Sequence, residues 1–555
     1  MISNATTRRR LALALYAAFT LLSFPHELPL VGVFDLGLVC AWLAPAALVV
    51  GLDGLSPRKA ARAAFFASLA GHVVLFHWFI VVTVRYGGMP LVLGLLTPLL
   101  PAFWVAQFSA LFAALWAGGS RRTGAFLWGA CAWVAVDWLR GCFLGGFPWA
   151  TLGYALHRDL PLLAWTRWGG VYALSFLAAG VGLALGQVFL RTFSPEAEDR
   201  RAAGLSSGAA RGRPGPVRSL AAIAFALALA HGLGWLLAAD ESADAAVVRI
   251  AAIQGNVDQG EKWNAERREH ILEAYLRLSD SAAEQGARWI VWPETALPGS
   301  LEWDPELRGQ IAALARRHGA VLVLGGMGIE FEAGRDAPSA YFDSAFIVGA
   351  DGEVGARYDK TQLVPFGEFV PLRGLLGSVF QSLARGLAPT DITPGDAPHS
   401  IELPGPEAEG GPLRAGIPIC YELIFPDLVR RFVADGAGVL LAVTNDAWYG
   451  RTGAPHQFLA MTALRSAETG RFTVRAANTG ISAIIDNRGH VRERSALFEE
   501  AVVVADVPVS RELASTFYAR FGDVFAWGCI LVALAGLARD RWSAGVSGSS
   551  RGASA

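Results

Sequence analysis

Long apolar runs crowd the first 240 residues. Stretches near 9–24, 30–51, 62–84, 89–118, 123–142, 160–190 and 217–238 each approach or pass the roughly 20 apolar residues a helix needs to cross a hydrocarbon core. In lipid every backbone N–H and C=O must be satisfied within the segment, so such runs fold as helices and pack as a bundle. An eighth run, near 521–538, follows a long polar interval. Composition agrees: 53% of residues are hydrophobic and 17% charged, with a mean hydropathy of +0.38. A soluble globular chain carries about 25% charged residues. The formal net charge of −1 gives no support to a nucleic-acid partner. Arg8, Arg9 and Arg10 ahead of Leu11–Phe24 resemble a secretion signal, but no small-residue cleavage site follows, so this segment is expected to remain as the first span.

Basic residues set the expected orientation. Arg8 to Arg10 precede the first run, and Arg58, Lys59 and Arg62 separate the second from the third. Arg121 and Arg122 lie between the fourth and fifth, Arg191, Arg200, Arg201, Arg211, Arg213 and Arg218 between the sixth and seventh, and Arg539 and Arg541 after the eighth. The alternate loops are poor in Lys and Arg. The positive-inside rule then puts both termini in the cytoplasm and the polar interval outside. The expected division is a seven-span bundle over 1–240, an extracytoplasmic domain over 241–515, an eighth span over 516–540 and a disordered cytoplasmic tail over 541–555. The loop 191–218, rich in Gly, Ser, Arg and Pro, also reads as a disordered linker.

From Val247 onward the pattern becomes an alternation of strands and helices. Strands are expected at 248–253, 289–292, 321–324, 341–349, 353–362, 414–419, 439–444, near 472–486 and 501–507, with helices at 264–285, 305–318, 424–437 and 456–469. Such alternation with apolar strand runs means stacked α/β layers. Three polar groups stand just past strand ends: Glu294 in Trp292-Pro293-Glu294-Thr295, Lys360 in Tyr358-Asp359-Lys360-Thr361, and Cys420 in Ile419-Cys420-Tyr421-Glu422. The chain has five cysteines (Cys40, Cys131, Cys142, Cys420, Cys529) and no C-x-x-C pair, so neither a zinc site nor a disulfide framework is expected. Only Cys420 lies away from the apolar segments. A thiol beside a carboxylate and a cation suits acyl transfer: the carboxylate takes the proton, while the cation and the Tyr421 backbone N–H stabilise an oxyanion. None of the three segments contains a histidine, which disfavours a Cys-His protease.

These segments resemble the Glu-Lys-Cys triad of the nitrilase, or carbon–nitrogen hydrolase, superfamily. Longer strings sharpen the likeness to its apolipoprotein N-acyltransferase family. They are Gln254-Gly255-Asn256 with Lys262-Trp263, Leu363-Val364-Pro365-Phe366-Gly367-Glu368, Thr444-Asn445-Asp446-Ala447-Trp448-Tyr449, Asp137-Trp138-Leu139-Arg140-Gly141 and Gly146-Phe147-Pro148-Trp149. The resemblance implies a polytopic helical membrane bundle of about eight spans carrying an αββα nitrilase-like sandwich. It implies Glu294 as general base, Lys360 as oxyanion-stabilising cation and Cys420 as acyl-carrying nucleophile. Glu368, Tyr421 and Glu422 would support the site, and Trp263, Asn445 and Trp448 would shape substrate binding. The implied partners are a phospholipid acyl donor, a diacylglyceryl-modified apolipoprotein acceptor and the bilayer of the bacterial inner membrane, with no cofactor or metal. One departure is visible: Thr452-Gly453-Ala454-Pro455-His456-Gln457 breaks the family's order and leaves His456 without a role.

One expectation comes from the residues alone. Leu372, Leu375, Leu376, Val379, Phe380, Leu383 and Leu387 recur at helical spacing just after Glu368, as an amphipathic helix at a membrane interface would. Leu372, Leu376 and Phe380 are its anchors if it acts as a lid that admits an acyl chain to Cys420. Two rivals stand beside this reading: a membrane-anchored amidase acting on small amides, and a transporter whose spans are the function. Asp137 and Arg140 are the deepest charges a transport path could use, and they read as a structural pair.

Overall fold

The computed structural model describes residues 5–119, 124–193, 215–238, 245–262, 264–332, 337–370, 391–405, 411–512 and 516–549. Helices α1 (Ala5–Leu22), α2 (Gly37–Leu52), α3 (Pro57–Leu75), α4 (Leu99–Gly119), α5 (Ala125–Cys142), α6 (Val171–Phe193), α7 (Pro216–Leu237) and α12 (Val524–Ser549) occupy the eight apolar regions. Among the described residues three helical segments have the length and apolarity of a span, Leu91–Gly119, Val171–Phe193 and Pro216–Leu237. A fourth joins them if Pro57–Leu75 and Trp78–Tyr86, bent by 55°, count as one. Gly37–Leu52 and the apolar part of α12, Val524–Arg539, are apolar but shorter than a full span. The run expected at 30–51 opens in an antiparallel hairpin, β1 (His26–Leu28) and β2 (Gly32–Phe34), before α2 begins. The run expected from 160 starts with two single turns, Leu160–Leu163 and Thr166–Gly169, ahead of α6.

Two six-stranded sheets follow. The first runs in the order β14 (Ala501–Ser510), β3 (Ala245–Gln254), β4 (Trp289–Val291), β5 (Val321–Phe331), β6 (Pro338–Val348) and β7 (Val354–Asp359). The second runs β13 (Val491–Arg494), β12 (Ala483–Ile485), β11 (Thr473–Ala477), β10 (Val439–Thr444), β9 (Leu413–Gly416) and β8 (Ile401–Leu403). In each sheet three central strands are parallel (β3, β4, β5 and β9, β10, β11) and the flanking strands antiparallel. Burial on both faces comes from the period of two along each strand. Trp289 and Val291 of β4 join the core shared with the second sheet, while Ile290 and Trp292 join the core beneath helices α8 (Arg268–Glu284) and α9 (Pro305–His318). Helices α10 (Pro426–Ala434) and α11 (Ala454–Thr469) lie on the second sheet. The local signals of α9 are explicit. Asp304 caps it by accepting from the N–H groups of Glu306 (3.1 Å) and Leu307 (3.0 Å), Pro305 opens it, and Gly319 at φ 57° ends it.

Helix α11 joins the two parts. Of its residues only His456 escapes full burial, because one side meets the sheet and the other the bundle. The apolar core is continuous across this joint, running from Leu163 and Tyr154 to Ile424 and Met461. Polar ties accompany it. Trp149 Nε1 donates to Gln457 Oε1 (2.8 Å), whose amide donates to the Pro25 carbonyl (2.9 Å). The Val171 N–H donates to Glu468 Oε1 (2.7 Å), and Glu468 pairs with Arg465 (2.8 Å), both fully buried. Arg465 also donates to Tyr154 Oη (3.1 Å). His456 and Arg451 reach Glu27 in the hairpin (3.4 and 3.6 Å), so His456 sits in the clasp between hairpin and domain.

Candidate active site

Glu294, Lys360 and Cys420 follow the carboxyl ends of β4, β7 and β9. Strand β7, two antiparallel steps from β5, runs the same way as β4, so both carboxyl ends lie at one edge of the first sheet, and strand carboxyl ends are where open α/β sheets place their ligands. Lys360 is held in register by its own backbone: its N–H donates to the Asp343 carbonyl (2.9 Å), continuing the β6–β7 ladder that pairs Ser344 with Asp359. The turn bearing Glu294 lies tight against β5. A Cβ on Gly325 would stand 2.0 Å from the Pro293 carbonyl oxygen and 2.7 Å from the Glu294 Cα, so only glycine fits there.

Backbone strain collects at the same edge. Asn256 (φ 52°), Thr295 (φ 46°), Phe366 (φ 65°) and Cys420 (φ 45°) all occupy the left-handed region with full side chains. Each such residue costs on the order of 1–3 kcal/mol and persists because its surroundings over-determine it, a pattern typical of functional sites. At Cys420 the strain marks a sharp switch from the extended Ile419, bridged to Val443, into a turn over Cys420–Ile424. Glu422 fastens this turn to that of Lys360. Its Oε2 accepts from the Ile419 N–H (2.8 Å), while Oε1 accepts from Tyr358 Oη (2.7 Å), the Thr361 N–H (2.7 Å) and Thr361 Oγ1 (2.8 Å). Glu422 therefore positions the two turns and makes no bond to Lys360.

Lys360 is completely buried, and its Nζ meets three carboxylates: Glu294 Oε1 at 2.8 Å, Asp343 Oδ2 at 3.0 Å and Glu368 Oε1 at 2.5 Å. Burial opposes its charge, but Glu294, Glu368 and Asp343 outweigh that and hold its pKa well above the usual lysine value. The three carboxylates have oxygens within 4.8 Å of one another, a donor set that could hold a cation, and the lysine ammonium fills that position. Three negative charges around one positive do not balance in a buried site. Asp343 Oδ1 finds no donor, yet the Asp343 and Glu294 carboxyls are in hydrogen-bond contact. One proton between them resolves both facts. It belongs on Asp343, whose pKa burial raises well above normal, aided by Glu294. Glu294 stays ionised, because Lys360 and the Asp343 hydrogen bond outweigh its own burial. Burial likewise raises Glu368, against the pull of Lys360.

The Cys420 thiol is 7% exposed, and burial followed by the Glu294 charge raises its pKa well above normal, against the pull of Lys360 and the Asn445 backbone N–H. The resting group is thus a neutral thiol, whose proton would have to leave before the sulfur could act as a nucleophile. Asn445, expected to bind substrate, contributes its amide at the sulfur, while its side chain donates to Gln259 (2.6 Å) and accepts from Asn478 (3.2 Å). Tyr421 is buried with its ring edge-on to Phe425 at 5.2 Å. Trp448 is half-buried, edge-on to Tyr86 at 5.5 Å, where the bent helix pair of the bundle meets the loop that follows Asn445. Trp263 and the lid residues Leu372, Leu376 and Phe380 lie outside the described residues.

Two charged groups at the site carried no expected role. Asp343 sits in a strand that turns wholly apolar at Ala345; a carboxylate at the head of such a run, one strand before Lys360, was the available signal. Lys262, though part of a quoted string, is buried beneath Glu294: its Nζ donates to the Glu294 carbonyl (2.9 Å) and Thr295 Oγ1 (2.5 Å). Burial lowers its pKa to about 8, partly offset by Glu294, Asp343 and Cys420.

Comparison with known proteins bears on both parts. The carbon-nitrogen hydrolase family matches residues 249–514, and the apolipoprotein N-acyltransferase N-terminal domain matches residues 16–184. A protein of Geobacter metallireducens named apolipoprotein N-acyltransferase is 35% identical over 95% of this chain and 94% of its own length. Like-named proteins of Bradyrhizobium diazoefficiens (33% identical, 80% of this chain and 77% of that one) and Vibrio vulnificus (28%, 97% and 98%) also match. Among solved structures, an amidase from Nesterenkonia sp. covers 48% of this chain and 91% of its own at 23% identity and a TM-score of 0.35.

Proposed function

The chain belongs to the apolipoprotein N-acyltransferase family, and from that membership we propose that it moves a fatty acyl chain from a membrane phospholipid to the N-terminal amine of a diacylglyceryl-cysteine lipoprotein, through a thioester on Cys420. In the first half-reaction the Cys420 sulfur attacks the ester carbonyl as Glu294 takes the thiol proton. The tetrahedral oxyanion is met by the Lys360 ammonium and the Tyr421 backbone N–H. The attack forms the C–S bond; collapse restores the carbonyl, breaks the C–O bond and returns the proton from Glu294 to the departing lysophospholipid oxygen. In the second, the lipoprotein's α-amine attacks the thioester, Glu294 accepts an amine proton, and collapse expels Cys420, which recovers that proton. Glu368 and Asp343 keep Lys360 aimed, and Glu422 keeps the turns of Lys360 and Cys420 in register.

The reading places seven spans in residues 1–240, the catalytic domain in 241–515 on the extracytoplasmic side of the bacterial inner membrane, the eighth span in 516–540 and a cytoplasmic tail in 541–555. Eight helices at the expected regions and the alternation of basic loops support it. A reaction centre beside the bilayer keeps acyl chains out of water, where each CH2 costs about 0.8 kcal/mol. Contact between Trp448 and Tyr86 of the bent helix pair supports an acyl entrance there, with residues 370–388 as its lid. The observation that carries the mechanism is the buried Lys360 among carboxylates next to a strained, neutral cysteine. Mass spectrometry of purified enzyme mixed with phospholipid tests it. A fatty-acyl mass on the Cys420 peptide, absent in Cys420→Ala, is expected; an unmodified peptide in active enzyme overturns it.

A further inference from the structure

An ion pair with no part in the proposed steps lies one residue beyond Asn445, whose backbone N–H meets the Cys420 sulfur. Asp446 is 1% exposed and Arg475 fully buried. One nitrogen of Arg475 serves the whole carboxylate: Nη2 donates to Oδ1 at 3.0 Å and to Oδ2 at 2.8 Å. Its Nη1 donates to the Ile481 carbonyl (2.6 Å), and the guanidinium lies 4.9 Å from the centre of the Phe458 ring in α11.

Burying such a pair is costly. Taking two charges out of water consumes most of what their attraction returns, and well-packed apolar residues of similar volume often stabilise a fold as well or better. Stability alone does not account for the pair; its place does. Asp446 opens the turn Asp446–Tyr449, directly after Asn445 at the end of β10. The Asn445 side chain is tied independently, donating to Gln259 and accepting from Asn478. Arg475 stands in β11 in register with Ala442 of β10, so the anchor for Asp446 comes from the middle of the sheet. Gly480 closes on the carboxylate: a Cβ there would stand 2.0 Å from Asp446 Oδ2, so only glycine fits. Asn445 is thus held by its own side chain and by the residue that follows it.

Charge matters as much as shape. The Asp446 carboxylate is near enough for Cys420 and Glu294 to feel its charge, and an unopposed anion there would favour the thiol over the thiolate. Arg475 supplies the opposing charge. We propose that Arg475 is a positioning residue for the nucleophile: through Asp446 it holds the Asn445 N–H at the Cys420 sulfur, and it offsets the carboxylate charge of that turn. The held N–H then stabilises negative charge on sulfur as the thiolate forms and again as it departs from the thioester. This role rests on the acyl-transfer reading, whereas alkylation of the same sulfur needs no lipid.

The test uses the full-length protein in detergent and reads two rates on Cys420. One is alkylation by iodoacetamide near pH 8, which follows the thiolate fraction. The other is single-turnover acylation by phospholipid. Asp446→Asn keeps an acceptor for Arg475 but removes the negative charge, and is expected to speed alkylation about threefold or more. Arg475→Lys keeps the positive charge but replaces the planar fork with a single ammonium, which gives up the Ile481 carbonyl or the carboxylate. It is expected to leave alkylation within about twofold and to slow acylation about fivefold or more. A purely structural pair would lower the melting temperature in both variants and leave both rates per folded molecule at the wild-type value. That result overturns the proposal, as does slower alkylation in Asp446→Asn or unaltered acylation in Arg475→Lys. If either variant loses its melting transition, Gly480→Ala displaces the Asp446 carboxylate without changing any charge and is expected to slow acylation by a similar factor. Unaltered acylation there also overturns the proposal. Absence of acylation in wild type, with alkylation responding as expected, strikes the acyl-transfer reading alone.

Discussion

Protons decide how the individual residues work. Asp343 carries one and so behaves as a neutral hydrogen-bond donor to Glu294, while its other oxygen accepts from Lys360. Asparagine reproduces that shape and polarity. Asp343→Asn is therefore expected to keep Cys420 acylation within about threefold, whereas Asp343→Leu strips Lys360 of a partner and lowers it roughly a hundredfold, in the range of losing one electrostatic contact in an active site. Single-turnover acylation distinguishes the two. Lys262 supplies the pH dependence. With a pKa lowered to about 8 it is charged below that pH and neutral above, so its support of the Glu294 turn and of negative charge on sulfur fades as pH rises through 8. The acylation rate is expected to show an alkaline limb near pH 8 that moves upward in Lys262→Arg, because arginine stays protonated. An identical limb in both proteins would remove Lys262 from the site's electrostatics. Neither residue was legible as functional. The three candidate residues stood out because each follows a strand end inside a distinctive string; Asp343 and Lys262 join them through burial and proximity, which sequence spacing does not encode.

Among elements, the two turns that meet at Glu422 are the most sensitive joint. Both of its oxygens are used, by donors from β7, from the residues after it and from the strand leading to Cys420. Glu422→Gln replaces one acceptor oxygen with a donor, leaving at least one buried N–H facing another. A destabilisation of about 1–3 kcal/mol is expected, read as a lowered unfolding midpoint, with activity falling in proportion to lost register. Helix α11 offers a second case: Glu468→Ala leaves Arg465 charged, buried and without its carboxylate, which is expected to cost about 3–5 kcal/mol. Regular elements were well read from periodicity, α9 and β10 to the residue. The strands that were missed, β1, β2, β8 and β13, are three or four residues long and lie at edges or in a hairpin. Such segments are too short to show a period, and pairing rather than propensity makes them strands. The apolar run over 30–51 concealed its hairpin because hydropathy alone does not separate a strand from the start of a span.

For the whole molecule, catalytic domain and bundle share one core, and α11 is buried from both sides. Residues 245–512 expressed alone would uncover the bundle-facing side of α11, including Met461, Leu464 and the Arg465–Glu468 pair. Such a fragment is expected to aggregate, while the full chain in detergent stays monodisperse by size-exclusion chromatography. The division into bundle and α/β layers was visible in hydropathy, but not this fusion: α11 carries polar residues at many positions, and only the tertiary structure reveals that Gln457, Arg465 and Glu468 point into contacts rather than water. The fused joint also bears on how partners would be found under the proposed function. If the helices lie in a sheet of lipid as proposed, the Cys420 sulfur locked to them cannot tumble toward dissolved molecules; both proposed reactants would then reach it by gliding sideways, and turnover would follow how densely they populate an area rather than how concentrated they are in a volume.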